Sequence, residues 1–167
     1  MLFNTERLII TPCTEDDAPF ICELVNENDF IQNIGDKEVR SVEDAKRFIR
    51  EKFLPGYQSD GISMYLVKQR TDNAPVGICG LVDRDGLDDV DIGFAFSEKF
   101  YGKGYATESA KGMLAHANET LGLKRIVAIT HPDNDASGNV LQKIGLQYEG
   151  LINLPAYPEP SKYYVQK

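Results

Sequence analysis

Eight residues, Tyr101-Gly102-Lys103-Gly104-Tyr105-Ala106-Thr107-Glu108, restrict the fold of this chain more than any other stretch. A strand-like run at 90–96 enters them and a helical run at 107–121 leaves them. Gly102, Gly104 and Ala106 let the backbone approach a ligand closely, because little or no side chain stands in the way. The N–H groups of a helix's first turn have no partner inside the helix. With the macrodipole they present about half a positive charge. The stretch therefore predicts a strand-to-helix turn that seats an anion, most simply a diphosphate. The competing reading is an ordinary turn that uses glycine for tightness. Two other phosphate-binding patterns fail on the residues. A P-loop needs Ser or Thr after Gly-Lys, and Gly104 follows Lys103. A dinucleotide fingerprint needs a last Gly or Ala where Thr107 stands, and Asp133 lies too far on to serve as its ribose acid.

The pattern around this turn is that of one α/β domain. Residues 7–11 read as a strand ended by Pro12. Thr14 and Asp17 open a helix with apolar positions at Ala18, Ile21, Cys22 and Val25. Residues 26–40 are polar and read as irregular. Ser41 opens a second helix with an apolar face of Val42, Ala45, Phe48, Ile49 and Phe53, and Pro55-Gly56 stops it. Runs at 62–68, 75–82 and 90–96 are separated by short turns, so they pair antiparallel. The helix at 107–121 ends at Gly122. A strand at 125–130 is then expected parallel to 90–96, reached by a right-handed crossover. A helix at 134–144 and strands at 146–153 and 162–166 complete the order β-α-α-β-β-β-α-β-α-β-β, with no domain boundary in residues 1–167.

Composition excludes several functions. A formal charge of -8 argues against nucleic-acid or anionic-membrane binding. By itself it reads as solubility, with an amine-bearing substrate as the weaker alternative. The three cysteines, Cys13, Cys22 and Cys79, lack C-x-x-C spacing and read as reduced, buried thiols of a cytoplasmic protein. The two histidines lack metal-ligand spacing, so no metal is expected. No apolar run spans a bilayer, and no G-x-S-x-G elbow suggests a hydrolase.

Three stretches in order resemble the GNAT superfamily of acyl-CoA-dependent N-acyltransferases, and most of all its ribosomal-protein-alanine N-acetyltransferase branch. They are Thr5-Glu6-Arg7-Leu8-Ile9-Ile10, Asp91-Ile92-Gly93-Phe94 with the loop from Phe100 to Glu108, and Asn134-x-x-Ser137 with Val140-Leu141-x-Lys143-x-Gly145. The resemblance implies a single-domain GNAT fold, with a mixed, mostly antiparallel sheet splayed at an acyl-CoA cleft, usually at a bulge. It implies that the main-chain N–H groups of residues 102–107 grip the phosphates of acetyl-CoA. The family's frame falls on Tyr101, Gly104 and Ala106, and Tyr101 departs from the usual Gln or Arg. Thr107 can add its hydroxyl. Lys103 either reaches a phosphate or is a solvated loop lysine. Tyr105 belongs to the same seat, and Glu108 must point away from it.

The family also implies that the backbone edge at Phe94, Ala95 and Phe96 pairs with the pantetheine arm. An N–H near Phe94 then faces the thioester carbonyl as an oxyanion donor. Asn134 holds pantetheine or caps its helix. Many members place a tyrosine acid where Leu141 stands, so Ser137 is the candidate proton donor to the leaving sulfur; its other reading is a helix-start serine satisfying backbone N–H groups. Asp91 is the candidate base, or else one of several solvated acids in an acidic turn. His131 and Glu159 are further candidates near the acceptor, and His116 is not. The acceptor is a primary amine (a protein N-terminus, an amino acid, a polyamine or an antibiotic amine), chosen by residues 26–40 and 154–160. A module that binds acyl-CoA without turnover is the alternative, and the chain is expected to be a monomer or homodimer.

Overall fold

A computed structural model describes all 167 residues. The expected meander is present: β3 (Met64–Gln69), β4 (Pro75–Val82) and β5 (Asp91–Phe96) pair antiparallel in sequence. β1 (Phe3–Asn4) and β2 (Leu8–Thr11) extend this half of the sheet, while β6 (Val127–Thr130), β7 (Leu146–Ile152) and β8 (Ser161–Gln166) form the other half, giving the order β1-β2-β3-β4-β5-β6-β8-β7. Helices α1 (Ala18–Val25), α2 (Asn28–Asn33), α3 (Val42–Lys52) and α4 (Leu54–Gln58) lie before the meander. Helices α5 (Tyr105–Ala115) and α6 (Asp135–Lys143) follow β5 and β6.

Strand alternation divides the interior into two cores. Tyr65 and Val67 face one side of β3, where they pack with Met113, Leu114, Ile126 and Leu141. Leu66 faces the other, with Ile21, Leu24, Ile49 and Phe53. Helices α1 and α3 pack on each other and bury Ile21, Leu24, Ala45 and Ile49 with Leu66 and Ile78 of that second face.

β5 and β6 are parallel but share a single register pair, Asp91 with Val127, backed by the Val127 N–H donating to the Val90 carbonyl at 3.1 Å. Beyond that point β6 follows β8 through four register pairs. β5 stays on β4 without a register break from Gly77–Phe96 to Val82–Asp91. The sheet therefore splays where expected, but no bulge opens it. Each strand keeps a full ladder on its outer side, so divergence needs no extra residue.

Three local expectations are corrected. Residues 26–40 contain α2, held by burial of Phe30 rather than by an apolar stripe. Pro55 does not end the helical region; it sits in the first turn of α4, where a missing N–H removes no helical bond. The central helix starts at Tyr105 and widens into a π-turn at residues 116–120.

Candidate active site

The turn into α5 is built on two left-handed glycines, Gly102 at φ 79° and the N-cap Gly104 at φ 81°. None of the N–H groups of residues 102–107 has a backbone acceptor, and the first bond of the turn runs from the Glu108 N–H to the Gly104 carbonyl at 3.1 Å. Glu108 turns away from them. Its carboxylate accepts from the Thr5 hydroxyl at 2.5 Å, the Arg7 N–H at 2.8 Å and Arg7 Nε at 2.7 Å. Burial alone would raise its pKa, but these donors outweigh burial and lower it. Arg7 also donates to the Lys103 carbonyl at 2.8 Å and stacks over the Tyr105 ring. The opening stretch of the chain thus braces the back of the turn and leaves its N–H side open.

That open side faces a cavity of about 400 Å³ lined by Tyr101, Gly102, Gly104, Tyr105, Ala106 and Thr107. Lys103 is exposed at the turn. Tyr101 is 52% exposed, and its hydroxyl donates to Asp29 on α2 at 3.2 Å. A second cavity, of about 770 Å³, lies beyond. Both are bordered by Phe94, Ala95, Asn134 and Ser137, so these four residues stand where the two spaces adjoin.

Ladder geometry gives the orientation of the β5 edge. The Ser97 N–H donates to the Val76 carbonyl on the β4 side at 2.9 Å. Antiparallel strands alternate, so Ala95 and Gly93 also face β4, while the N–H groups of Phe94 and Phe96 point into the gap that β6 has left.

On the opposite wall Asn134 caps α6. Its Oδ1 accepts from the Ser137 N–H at 3.2 Å, and its Nδ2 donates to Ser137 Oγ at 2.9 Å. The cap is therefore the asparagine, and Ser137 is not engaged in satisfying backbone donors. Leu141, where many relatives in the resembling family carry tyrosine, is buried in the core.

Asp91 is not a solvated acid. It is 1% exposed, and its Oδ2 accepts from Arg84 Nε at 2.9 Å. Arg84 also donates to the Tyr157 hydroxyl at 2.8 Å. Asp91 Oδ1 has no partner, and neither does Thr130 Oγ1 on β6; both residues line the larger cavity. Burial pushes the Asp91 carboxyl up to about 6, against the pull of Arg84. His131 lines the same cavity, with Nδ1 accepting from the Asp133 N–H at 3.1 Å and Nε2 at 3.8 Å from Glu159 on the rim. His116 stacks on Phe3 and borders neither space.

Sequence reasoning missed Arg84, although a single arginine within the acidic stretch 83–89 is a visible signal for a buried partner. It also missed Glu27, whose carboxylate accepts from the Ser97 hydroxyl at 3.0 Å and the Glu98 N–H at 2.9 Å. No local pattern marks a carboxylate that acts across 70 residues.

The family model described as an acetyltransferase (GNAT) domain matches residues 7–147. The chain is similar to the uncharacterized N-acetyltransferase YnaD of Bacillus subtilis (strain 168), with 28% identity over 152 residues, covering 91% of this chain and 86% of that one. A solved acetyltransferase of the GNAT family from Bacillus anthracis superposes with a TM-score of 0.79 and 28% identity, over 97% of this chain and 95% of the other. RimL, a ribosomal L7/L12 alpha-N-protein acetyltransferase solved in complex with coenzyme A, gives a TM-score of 0.82 at 21% identity, over 99% and 96% of the two chains; that likeness speaks for the fold.

Proposed function

Since the chain belongs to the GNAT acetyltransferases, which transfer an acetyl group from acetyl-CoA, we propose that it acetylates a primary amine by direct attack at the junction of its two cavities. The observation that carries this reading is the meeting of the two spaces at Phe94, Ala95, Asn134 and Ser137. The smaller space begins at the unpaired N–H groups of α5, and the larger one leads to the loops around Tyr157.

The residues present fit acetyl-CoA. The N–H groups of residues 102–107 and the Thr107 hydroxyl suit a diphosphate at a helix N-terminus. The gap between β5 and β6 suits an extended arm that pairs with the backbone of residues 94–96. Bound there, acetyl-CoA supplies an acyl group already activated as a thioester.

The protein's own groups divide the remaining work. The Phe94 N–H donates to the acyl oxygen as negative charge develops on it, the kind of contribution that is usually largest in acyl transfer. Asp91 Oδ1 accepts a hydrogen from the incoming amine on the acceptor side; with its pKa near 6 it is mostly ionised at neutral pH. Ser137 keeps its own proton while accepting from Asn134, so it can donate to the departing sulfur. The C–N bond forms and the C–S bond breaks; Asp91 gains the proton the nitrogen loses, Ser137 gives one to the thiolate, and exchange of a proton with water returns both groups to their starting states.

The test is a thiol-release assay with acetyl-CoA and a panel of amines, with product masses measured. Thiol release that depends on the amine and yields an N-acetylated product supports the reading. Coenzyme binding without release for any amine, peptides included, would overturn it.

A further inference from the structure

The larger cavity carries a charge opposite to that of the molecule. The chain has a net charge of -8, yet three cations from separate parts of it reach this space: Lys37 after α2, Lys52 at the end of α3, and Arg84 after β4. Arg84 is occupied by Asp91 and Tyr157. The lysines are not similarly occupied. Lys37 is exposed to solvent but crowded by its surroundings, and desolvation and then the charges of Arg84 and Lys52 lower its pKa, with no carboxylate to offset them. Glu159, the other acid of this cavity besides Asp91, lies beside His131.

Two exposed lysines on the border of one cavity, neither in an ion pair, give that border positive potential. On the same walls, Asp91 Oδ1 and Thr130 Oγ1 are buried acceptors with no donor. A ligand that satisfies both sets has hydrogen-bond donors at one end and negative charge at another.

We propose that the larger cavity selects amine acceptors that also bear a carboxylate, held by Lys37 and Lys52 while the amine points toward Ser137 and Phe94. This inference rests on the acetyl-transfer reading and names its acceptor class. Polyamines are disfavoured, because their second cation would meet the lysines. Two sources share the chemistry: a small amino acid or dipeptide, and a protein N-terminus with an acidic residue close behind it.

The experiment compares acceptors matched in all but charge. Free amino acids and dipeptides form one arm and hexapeptides with Asp or Asn at the second and third positions form the other, each with its amidated or Asn counterpart and with spermidine as the cationic control. Acetylation is followed by mass, and binding to CoA-loaded protein by calorimetry. The expected result is a kcat/KM about tenfold or more higher for the carboxylate member of a pair, equivalent to about 1.4 kcal/mol. The difference should lie mainly in KM and shrink as salt is raised. The arm that shows the larger ratio identifies the source. In the Lys37→Gln, Lys52→Gln double variant the ratio is expected to fall toward one while the affinity for CoA is unchanged. Acetylation of spermidine or neutral amines as efficiently as of acids, or a ratio that survives in the double variant, would overturn the proposal and leave acetyl transfer standing. Charge-dependent binding of the acids without any acetylated product would instead retain the pocket and overturn the acetyl-transfer reading.

Discussion

Asn134 Nδ2 donates to Ser137 Oγ at 2.9 Å, so the serine oxygen is an acceptor within its own helix turn and its proton remains available to a ligand. Ser137→Ala is therefore expected to lower kcat by about 10²-fold, the lower range for loss of a general acid. The dissociation constant of acetyl-CoA should stay within about twofold if, as proposed, the main-chain N–H groups of residues 102–107 supply most of the binding. Stopped assays and calorimetry on the same preparation measure both. Unchanged turnover would remove the hydroxyl from the mechanism.

Gly104→Glu should abolish coenzyme binding. The substitution places a carboxylate at the proposed phosphate site and forces a side chain onto φ 81°, a conformation that costs a non-glycine residue about 1–2 kcal/mol. Gly104→Ala carries the same strain without the charge, and its β-carbon would meet Arg7 at 3.4 Å. A much larger loss of affinity for the glutamate than for the alanine variant locates the phosphates. Equal losses would point to strain alone.

Asp91 makes a signed prediction about pH. Its native pKa, about 6, lies above the ordinary carboxylate value, so between roughly pH 4 and 6 the folded protein holds a proton that the unfolded chain has lost. Stability from this group is present in full below pH 4 and is lost as pH rises through 6, by up to about 3 kcal/mol. Activity runs the other way: kcat/KM should rise through an inflection near pH 6 as the carboxylate forms. Denaturant melts and rate profiles of the wild type and Asp91→Asn test both. The variant should lose the inflection and flatten the slope of stability between pH 4 and 6.

Glu108 links the first strands to the α5 turn through three hydrogen bonds, two of them from Arg7. Glu108→Ala leaves the Arg7 guanidinium and the Thr5 hydroxyl without that partner. The expected cost is about 1–3 kcal/mol in urea unfolding, with weaker CoA binding as the turn loosens. Wild-type stability with weaker binding would mean that the carboxylate positions the turn without supporting the fold.

Much of this architecture was legible because it is written in short-range pattern. The runs that became β4 and β5 carry apolar residues between turn-forming ones, and Gly104 with Gly122 brackets the central helix and its π-turn. The turn from Tyr101 to Glu108 points to the family only together with the stretches at 5–10, 91–94 and 134–145, because alone it also reads as an ordinary glycine turn. What was hidden depends on contacts between distant residues. Asp91 looked like one acid among Asp83, Asp85, Asp88 and Asp89, and only the fold shows that it alone is buried under Arg84. Helix α2 was read as irregular because its stability comes from Phe30 in the core. Lys37 and Lys52 are ordinary surface lysines in sequence, and only the fold brings both to the border of the larger cavity.

Helix α2 also has a consequence for how the two ligands feel each other. Glu27 ties its start to Ser97 and Glu98, and Asp29 ties it to Tyr101. Phe30, Asn33 and Ile34 border both spaces. One short segment thus borders both cavities and is tied to the residues beside the smaller one. If the two ligands bind as proposed, a shift of that segment caused by either would alter the room left for the other. By thermodynamic reciprocity, whatever factor the coenzyme imposes on acceptor affinity, the acceptor returns in equal measure.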